Sequence, residues 1–207
     1  MDLIQSLKEQ AKGLGKKIVL PEFEDSRVIE AAAAILKEGF CVPLLVGAED
    51  KIQAAATAAG VSLEGAEIIN PATFGELNKM VDTFVELRAK KGMTPEKAHA
   101  TMTGDALFFG AMLVRLGLAD GMVAGSASPT ANVLRAAIQV VGTQAGLKTV
   151  SSSMLVITDK KEYGDNGLLI FSDCGVIPNP TSEQLADIAE SSVGKARSVA
   201  GMKEPRV

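Results

Sequence analysis

The residues best suited to chemistry lie in one stretch, where a short apolar run ends at Gly125 and small polar residues follow. Ser126, Ser128 and Thr130 offer hydroxyl groups, and Arg135 offers a planar fork of N–H donors. Hydroxyls, a guanidinium and the backbone N–H groups that begin a helix are the groups that bind phosphate and similar small anions. The stretch therefore predicts an anion site formed by these residues.

A strand, a tight turn and a helix must position these groups. Met122 to Ala124 predict the strand, and Ser128 followed by Pro129 is typical of a helix N-cap and first helical residue. The helical spacing puts four polar side chains on one face: Ser128, Asn132, Arg135 and Gln139. It puts apolar side chains broadly opposite: Val133, Ala137, Ile138 and Val141.

A simpler alternative remains open for the same stretch. Ser128 could do no more than cap a helix, with Arg135 in solvent. The segment has neither the lysine of a Walker loop nor the glycine spacing of a dinucleotide fingerprint. The local pattern therefore indicates an anion and no particular reaction.

Composition restricts the classes of function. The chain has 207 residues and a net charge of −4, so bulk charge gives no support to nucleic-acid binding. It contains no long apolar span and no signal-peptide pattern, so we expect a soluble, cytoplasmic protein that does not bind membranes. His99 is the only histidine, which argues against a histidine-rich metal site, and Cys41 and Cys174 predict no disulfide framework.

Strand and helix patterns alternate through the first two thirds of the chain. Strands are predicted at 17–20, 42–46, 66–70 and 122–124, with helices at 3–14, 26–37, 48–59, 75–91, from Thr94 on, and at 105–116. This alternation favours parallel crossover units, and so an α/β fold of three layers (αβα) with a mostly parallel sheet. Beyond Gly146, β-rich runs at 149–158 and 168–172 predict an antiparallel hairpin. Thr181 and Gln184 predict a capping box for a last helix.

Two charged features have both a structural and a functional interpretation. Glu22, Glu24 and Asp25 could act as functional carboxylates, but acidic residues before a helix more often complement its N-terminus, and we favour that reading. Arg88 lies at a predicted helix end, where a cation suits the dipole.

Several separated motifs resemble the phosphate acetyl/butyryl transferase family. They are residues 21–27 (PEFEDSR), residues 125–130 (GSASPT) continuing to Leu134-Arg135, residues 171–174 (FSDC) and residues 179–181 (NPT). They occur in the family's order, and the resemblance covers all 207 residues. It implies a homodimer of two-domain subunits with a cleft between the domains. Residues 1–148 would be most of domain I and 149–207 the start of domain II.

The resemblance also implies a reaction, the reversible transfer of acetyl between coenzyme A and inorganic phosphate. No metal or prosthetic group takes part, and the partners are acetyl-CoA or CoA and phosphate or acetyl phosphate. By position, Arg135 matches an arginine implicated at the family's active site, and Arg88 one implicated in contact with coenzyme A. Ser126, Ser128 and Thr130 are assigned to the phosphate mainly on the strand–turn–helix argument.

The family's proposed catalytic serine and its thiol-activating aspartate lie in a C-terminal portion without a counterpart here. We therefore expect this chain to be the N-terminal part of a longer protein and to be inactive alone. Phosphate butyryl transfer is the close alternative. A noncatalytic phosphate- or acyl-CoA-binding module and a purely dimer-forming role are two others.

Overall fold

The computed structural model describes residues 3–207, and the chain divides into two compact units. The larger comprises residues 8–142, and the smaller comprises residues 143–207 together with residues 3–7. The helices are α1 (Leu3–Ala11), α2 (Ser26–Glu38), α3 (Glu49–Ala59), α4 (Leu77–Arg88), α5 (Pro95–Gly104), α6 (Ala106–Arg115), α7 (Thr130–Ala136) and α8 (Ser182–Ser198). The strands are β1 (Lys17–Leu20), β2 (Val42–Val46), β3 (Glu67–Ile69), β4 (Gly121–Met122), β5 (Met154–Ile157) and β6 (Leu168–Phe171).

The larger unit is built on a four-stranded parallel sheet in the order β3-β2-β1-β4. Val19 of β1 pairs with Leu44 of β2 on one side and with Met122 of β4 on the other. Because β1 and β4 are parallel neighbours, the loops after them leave the sheet at the same edge. This order brings residues 21–25 beside residues 123–128.

Alternate strand residues enter two separate cores, as the period of a β-strand requires. Val19, Leu44 and Val46 pack in a cluster with residues of α4, α5 and α6, whereas Leu20 and Leu45 pack with residues of α2 and α3. Helices therefore cover both faces of the sheet. The predicted three-layer, mostly parallel α/β fold is confirmed.

Helix α6 approaches the sheet closely at Gly110. A Cβ at this position would lie 2.9 Å from the Val19 Cγ1 atom and 2.9 Å from the Met122 Sδ atom. The same helix carries Phe109, which is fully buried and meets the Phe74 ring edge-to-face with 5.5 Å between centroids. The missing side chain of Gly110 thus sets how near α6 lies to the two strands that lead into the loops.

The predicted geometry of the helix after the turn is wrong in two respects. Pro129 is the N-cap and α7 begins at Thr130, so Ser128 is not a helix cap and does not share a helix face with Asn132. Residues 137–141 continue as a π-helical turn, and Arg115 donates to the Val140 carbonyl at 2.8 Å. The predicted apolar face is right at Val133, which packs against the core, and wrong at Ile138 and Val141, which are exposed while Ala136 and Val140 are buried.

The smaller unit contains the predicted antiparallel hairpin, with Met154 opposite Phe171. Strand β5 is shorter than the predicted run 149–158, because the Ser152 N–H donates to the Asp173 carboxylate instead of to a strand. Helix α8 begins with the predicted capping box of Thr181 and Gln184. No helix among residues 3–207 is long and apolar enough to cross a lipid bilayer.

Candidate active site

The carboxylate of Glu22 lies at the centre of the two loops at the sheet's carboxyl edge. Its Oε2 accepts the N–H groups of Gly125 at 2.7 Å and Ser126 at 2.8 Å. Its Oε1 accepts those of Ala127 at 3.3 Å and Ser128 at 2.7 Å. Four consecutive N–H groups thus converge on one carboxylate, and the positive φ of Gly125 (110°) starts that turn.

Glu22 is the one charged residue among residues 3–207 that is buried, with 7% of its surface exposed, and its carboxyl group is nevertheless ionised at neutral pH. Burial raises the pKa of its carboxyl group. Hydrogen bonds from the Ser128 hydroxyl and from the N–H groups of Ser126, Gly125 and Ser128 outweigh burial, so the pKa is lowered on balance. The turn therefore stabilises a negative charge supplied by the protein itself.

Asp25 and Arg27 hold the same loop from its outer side. Asp25 is the N-cap of α2 and accepts the Arg27 N–H at 3.0 Å. The Ser126 hydroxyl donates to Asp25 at 2.7 Å, and the Arg27 guanidinium donates to the Ser126 carbonyl at 2.8 Å. The Arg27 guanidinium is the largest cause that holds the pKa of Asp25 well below its usual range.

These contacts separate the three acidic residues that the sequence presents as one group. Asp25 lies at the N-terminus of α2, where the favoured interpretation put the acidic group, and it is the N-cap. Glu22 instead binds a loop more than 100 residues away, which the sequence interpretation missed. A glutamate directly after a buried strand was the available signal. Its partner could be found only from the strand order, because the order decides which loop lies next to it.

The predicted anion-binding residues fall into two groups. Ser126 and Ser128 both donate their N–H groups to Glu22. The Ser126 hydroxyl donates to Asp25, and the Ser128 hydroxyl hydrogen-bonds to Glu22. Thr130 and Arg135 are exposed on α7, and within residues 3–207 neither side chain has a hydrogen-bond or ion-pair partner. The two available anion-binding side chains are therefore those beyond the turn, and the assignments of all four residues stay predictions.

Arg88 belongs to the same unit but to a different element. It ends α4, is partly buried, and forms no hydrogen bond to the 125–135 segment within the described chain. Helix α4 contacts the π-helical turn at residues 137–141. An open cavity of about 430 Å³ is lined by residues of α4, α5, α6 and that turn, among them Gln139 of the predicted polar face.

No cluster of three or more histidine, cysteine, aspartate or glutamate side chains able to hold a metal occurs among residues 3–207. Cys41 is partly buried and Cys174 is exposed, and both thiols are free. Because Glu22 and Asp25 engage the donors of the turn, the groups that the larger unit offers to a ligand at this edge are the Thr130 hydroxyl and the Arg135 guanidinium. Such donors suit a small oxyanion.

The fold and these loops define an α/β protein whose candidate site lies at the carboxyl edge of a parallel sheet. Residues 2–207 match the model of the family described as phosphate acetyl/butaryl transferase, and the chain belongs to this family. The phosphate acetyltransferase of Thermoanaerobacterium thermosaccharolyticum is 44% identical over 207 residues, and that of Clostridium acetobutylicum is 42% identical. The chain is covered completely in both alignments but spans 62% of each relative.

Solved structures agree with this membership. A phosphotransacetylase from Streptococcus pyogenes superimposes with a TM-score of 0.86 at 35% identity, covering 94% of this chain and 57% of that one. The EutD phosphotransacetylase from Staphylococcus aureus gives a TM-score of 0.85 at 37% identity, covering 96% and 58%. The fold of this chain therefore corresponds to slightly less than three fifths of the length of each of these two proteins.

Proposed function

We propose that this chain provides the phosphate-binding part of a phosphate acetyltransferase, which transfers acetyl reversibly between coenzyme A and inorganic phosphate. The observation that carries the proposal is the family match over residues 2–207. The availability of Thr130 and Arg135 at the sheet edge supports it. The proposed reaction uses no metal or prosthetic group, and coenzyme A takes part as a substrate.

Arg135 is the proposed principal ligand of the phosphate dianion. A guanidinium can donate two parallel N–H bonds to two phosphate oxygens, which fixes the orientation as well as the position of the anion. The Thr130 hydroxyl lies at the start of the same helix and can donate to a third oxygen. Positioning of this kind favours attack of a phosphate oxygen on the acetyl carbon of acetyl-CoA, after which the thioester C–S bond breaks and coenzyme A leaves as the thiolate.

As the bond forms, charge develops on the carbonyl oxygen, and donors aimed at that oxygen lower the barrier. Arg135 can stabilise this charge if the acetyl group lies beside the bound phosphate.

Arg88 is the proposed contact of coenzyme A, whose phosphates are anionic. The general base that the reaction needs is expected in the family's C-terminal portion, so we expect the 207-residue chain alone to bind phosphate without turning over acetyl-CoA.

The homodimer and the cytoplasmic location are further parts of this proposal. The homodimer follows from the family resemblance, and the location from the sequence pattern, which lacks a signal peptide and a long apolar span. Sedimentation of the purified chain tests the homodimer, and fractionation of cells tests the location.

The deciding experiment is a phosphate titration of the 207-residue chain, followed by calorimetry, with Arg135→Ala and Arg135→Lys. Loss of one or two charge-assisted hydrogen bonds, each contributing roughly 1.5–3 kcal/mol, predicts binding weaker by about tenfold to a hundredfold or more in Arg135→Ala. Lysine keeps the charge without the planar fork, so Arg135→Lys should fall between that variant and the wild type. Lys97→Ala, which removes one exposed positive charge from α5, is the matched control.

Equal phosphate affinity in Arg135→Ala and the wild type would contradict the proposed ligand. Acetyl transfer is measured in the same samples by release of the coenzyme A thiol. Normal turnover by the 207-residue chain would show that the catalytic base lies within these residues.

A further inference from the structure

Glu22 takes no part in the proposed reaction, yet its carboxylate accepts four N–H groups beside the candidate site. We infer that Glu22 is a positioning residue, whose carboxylate is the resident anion of the 125–128 loop and directs the substrate phosphate to Thr130 and Arg135 beyond it. The part of this inference that concerns phosphate rests on the proposed function. The part that concerns the loop rests on the hydrogen bonds alone.

The four N–H groups of the loop are all engaged. Gly125, Ser126 and Ser128 donate to Glu22 at 2.7–2.8 Å, and Ala127 donates at 3.3 Å. Turns of consecutive N–H groups commonly bind phosphate, but here a carboxylate fills the position. A dianion cannot share these donors with Glu22, because each N–H has an acceptor and the two negative charges would repel.

Glu22 is held firmly enough to serve as a fixed anchor. Its neighbours Pro21 and Phe23 are both buried, and Phe23 packs in the cluster that joins the sheet to α2 and α3. The Phe23 ring lies directly against Gly47, where a Cβ would overlap it. The carboxylate therefore projects from the core, and the loop takes its conformation from the carboxylate.

The loop in turn determines where the proposed phosphate ligands lie. Ser128 is bonded to Glu22, Pro129 follows it as the N-cap, and Thr130 begins α7. A displacement of the loop would be passed within two residues to Thr130 and along one short helix to Arg135. Glu22 thus acts on the anion through the loop rather than by touching it.

The test compares amide spectra and hydrogen exchange in the whole chain for the wild type, Glu22→Ala, Glu22→Gln and Glu24→Gln. Glu24 is two residues away and exposed, so Glu24→Gln removes the same charge without the loop contacts. We expect exchange at amides 125–128 to be about tenfold faster or more in both Glu22 variants, with core amides of β1 and β2 unchanged. Glu24→Gln should match the wild type.

Chemical rescue separates a resident anion from general structural support. Formate added to Glu22→Ala can supply the missing carboxylate, so it should restore wild-type shifts and slow exchange at 125–128. The same formate should leave the wild type unchanged. With inorganic phosphate, the wild type should shift at Thr130 and Arg135 and not at amides 125–128, whereas Glu22→Ala should shift at the 125–128 amides as well.

Three results would overturn the inference. They are unchanged exchange at 125–128 in a folded Glu22 variant, equal effects of formate on the wild type and Glu22→Ala, and phosphate shifts centred on amides 125–128 in the wild type. Unfolding of both Glu22 variants would also overturn it, because Glu22 would then support the whole fold. A wild-type chain that binds no phosphate would contradict the proposed function. Hydrogen exchange and formate rescue would still test whether Glu22 holds the 125–128 loop.

Discussion

Replacing Gly110 with alanine tests whether the close approach of α6 to the sheet is as tight as the structure indicates. The new Cβ would lie 2.9 Å from both the Val19 Cγ1 and the Met122 Sδ atoms. Met122 can move the end of a flexible side chain, but Val19 is fully buried in the central strand and has no space to turn. Part of the overlap must therefore be relieved by displacement of α6.

The magnitude follows from two opposing effects. Overpacking a well-packed core destabilises by about 1–3 kcal/mol, and the better helix propensity of alanine returns up to about 1 kcal/mol. Because Val19 cannot yield, we expect a net loss near the middle of that range, about 1–2 kcal/mol. With a urea dependence of roughly 1–3 kcal/mol per molar, the unfolding midpoint should fall by roughly 0.3–2 M.

The assay must report on the larger unit. The chain has no tryptophan, and its one tyrosine, Tyr163, lies in the smaller unit, so tyrosine fluorescence serves as an internal reference. Far-UV circular dichroism and amide exchange within 8–142 should show the loss. The matched control is Gly104→Ala on α5, where a Cβ meets nothing within 4 Å and stability should be equal or slightly higher. A Gly110→Ala midpoint equal to that of Gly104→Ala would refute the packing argument.

Two further predictions concern the smaller unit. Asp173 accepts N–H bonds from Ser152 and Ile177, and the Ser152 hydroxyl is the largest cause that lowers its pKa. A depressed pKa adds stability above the ordinary aspartate pKa of about 4 that is lost as the pH falls below it. Asp173→Asn should therefore lower the urea midpoint reported by Tyr163 at pH 7, with a smaller difference from wild type below about pH 4; a constant difference would contradict this reasoning. Gly194→Ala, inside α8 where a Cβ meets nothing within 4 Å, should stabilise by up to about 1 kcal/mol in the same assay, and a loss of stability would show that the position is not open.

The sequence by itself determined the features that depend on neighbours along the chain. The cap of α2 at Asp25, the capping box at Thr181, and the alternation of strands and helices all arise from contacts within a few residues, and the structure confirms them. The three-layer α/β class follows from that alternation. The anion-binding character of the 125–135 stretch is local in the same sense, although its residues remain predictions.

Only the tertiary structure decided which anion fills the turn. Glu22 and Gly125 are 103 residues apart, and they meet because β1 and β4 are neighbours in a sheet whose order no local pattern specifies. The start of α7 is displaced by one residue, from the predicted Pro129 to Thr130, and the Ser128 hydroxyl hydrogen-bonds to Glu22 instead of capping the helix. The pairing of β1 with β4 therefore determines which N–H groups Glu22 engages. The side chains that remain without a partner in the described part of the chain, Thr130 and Arg135, define the candidate site.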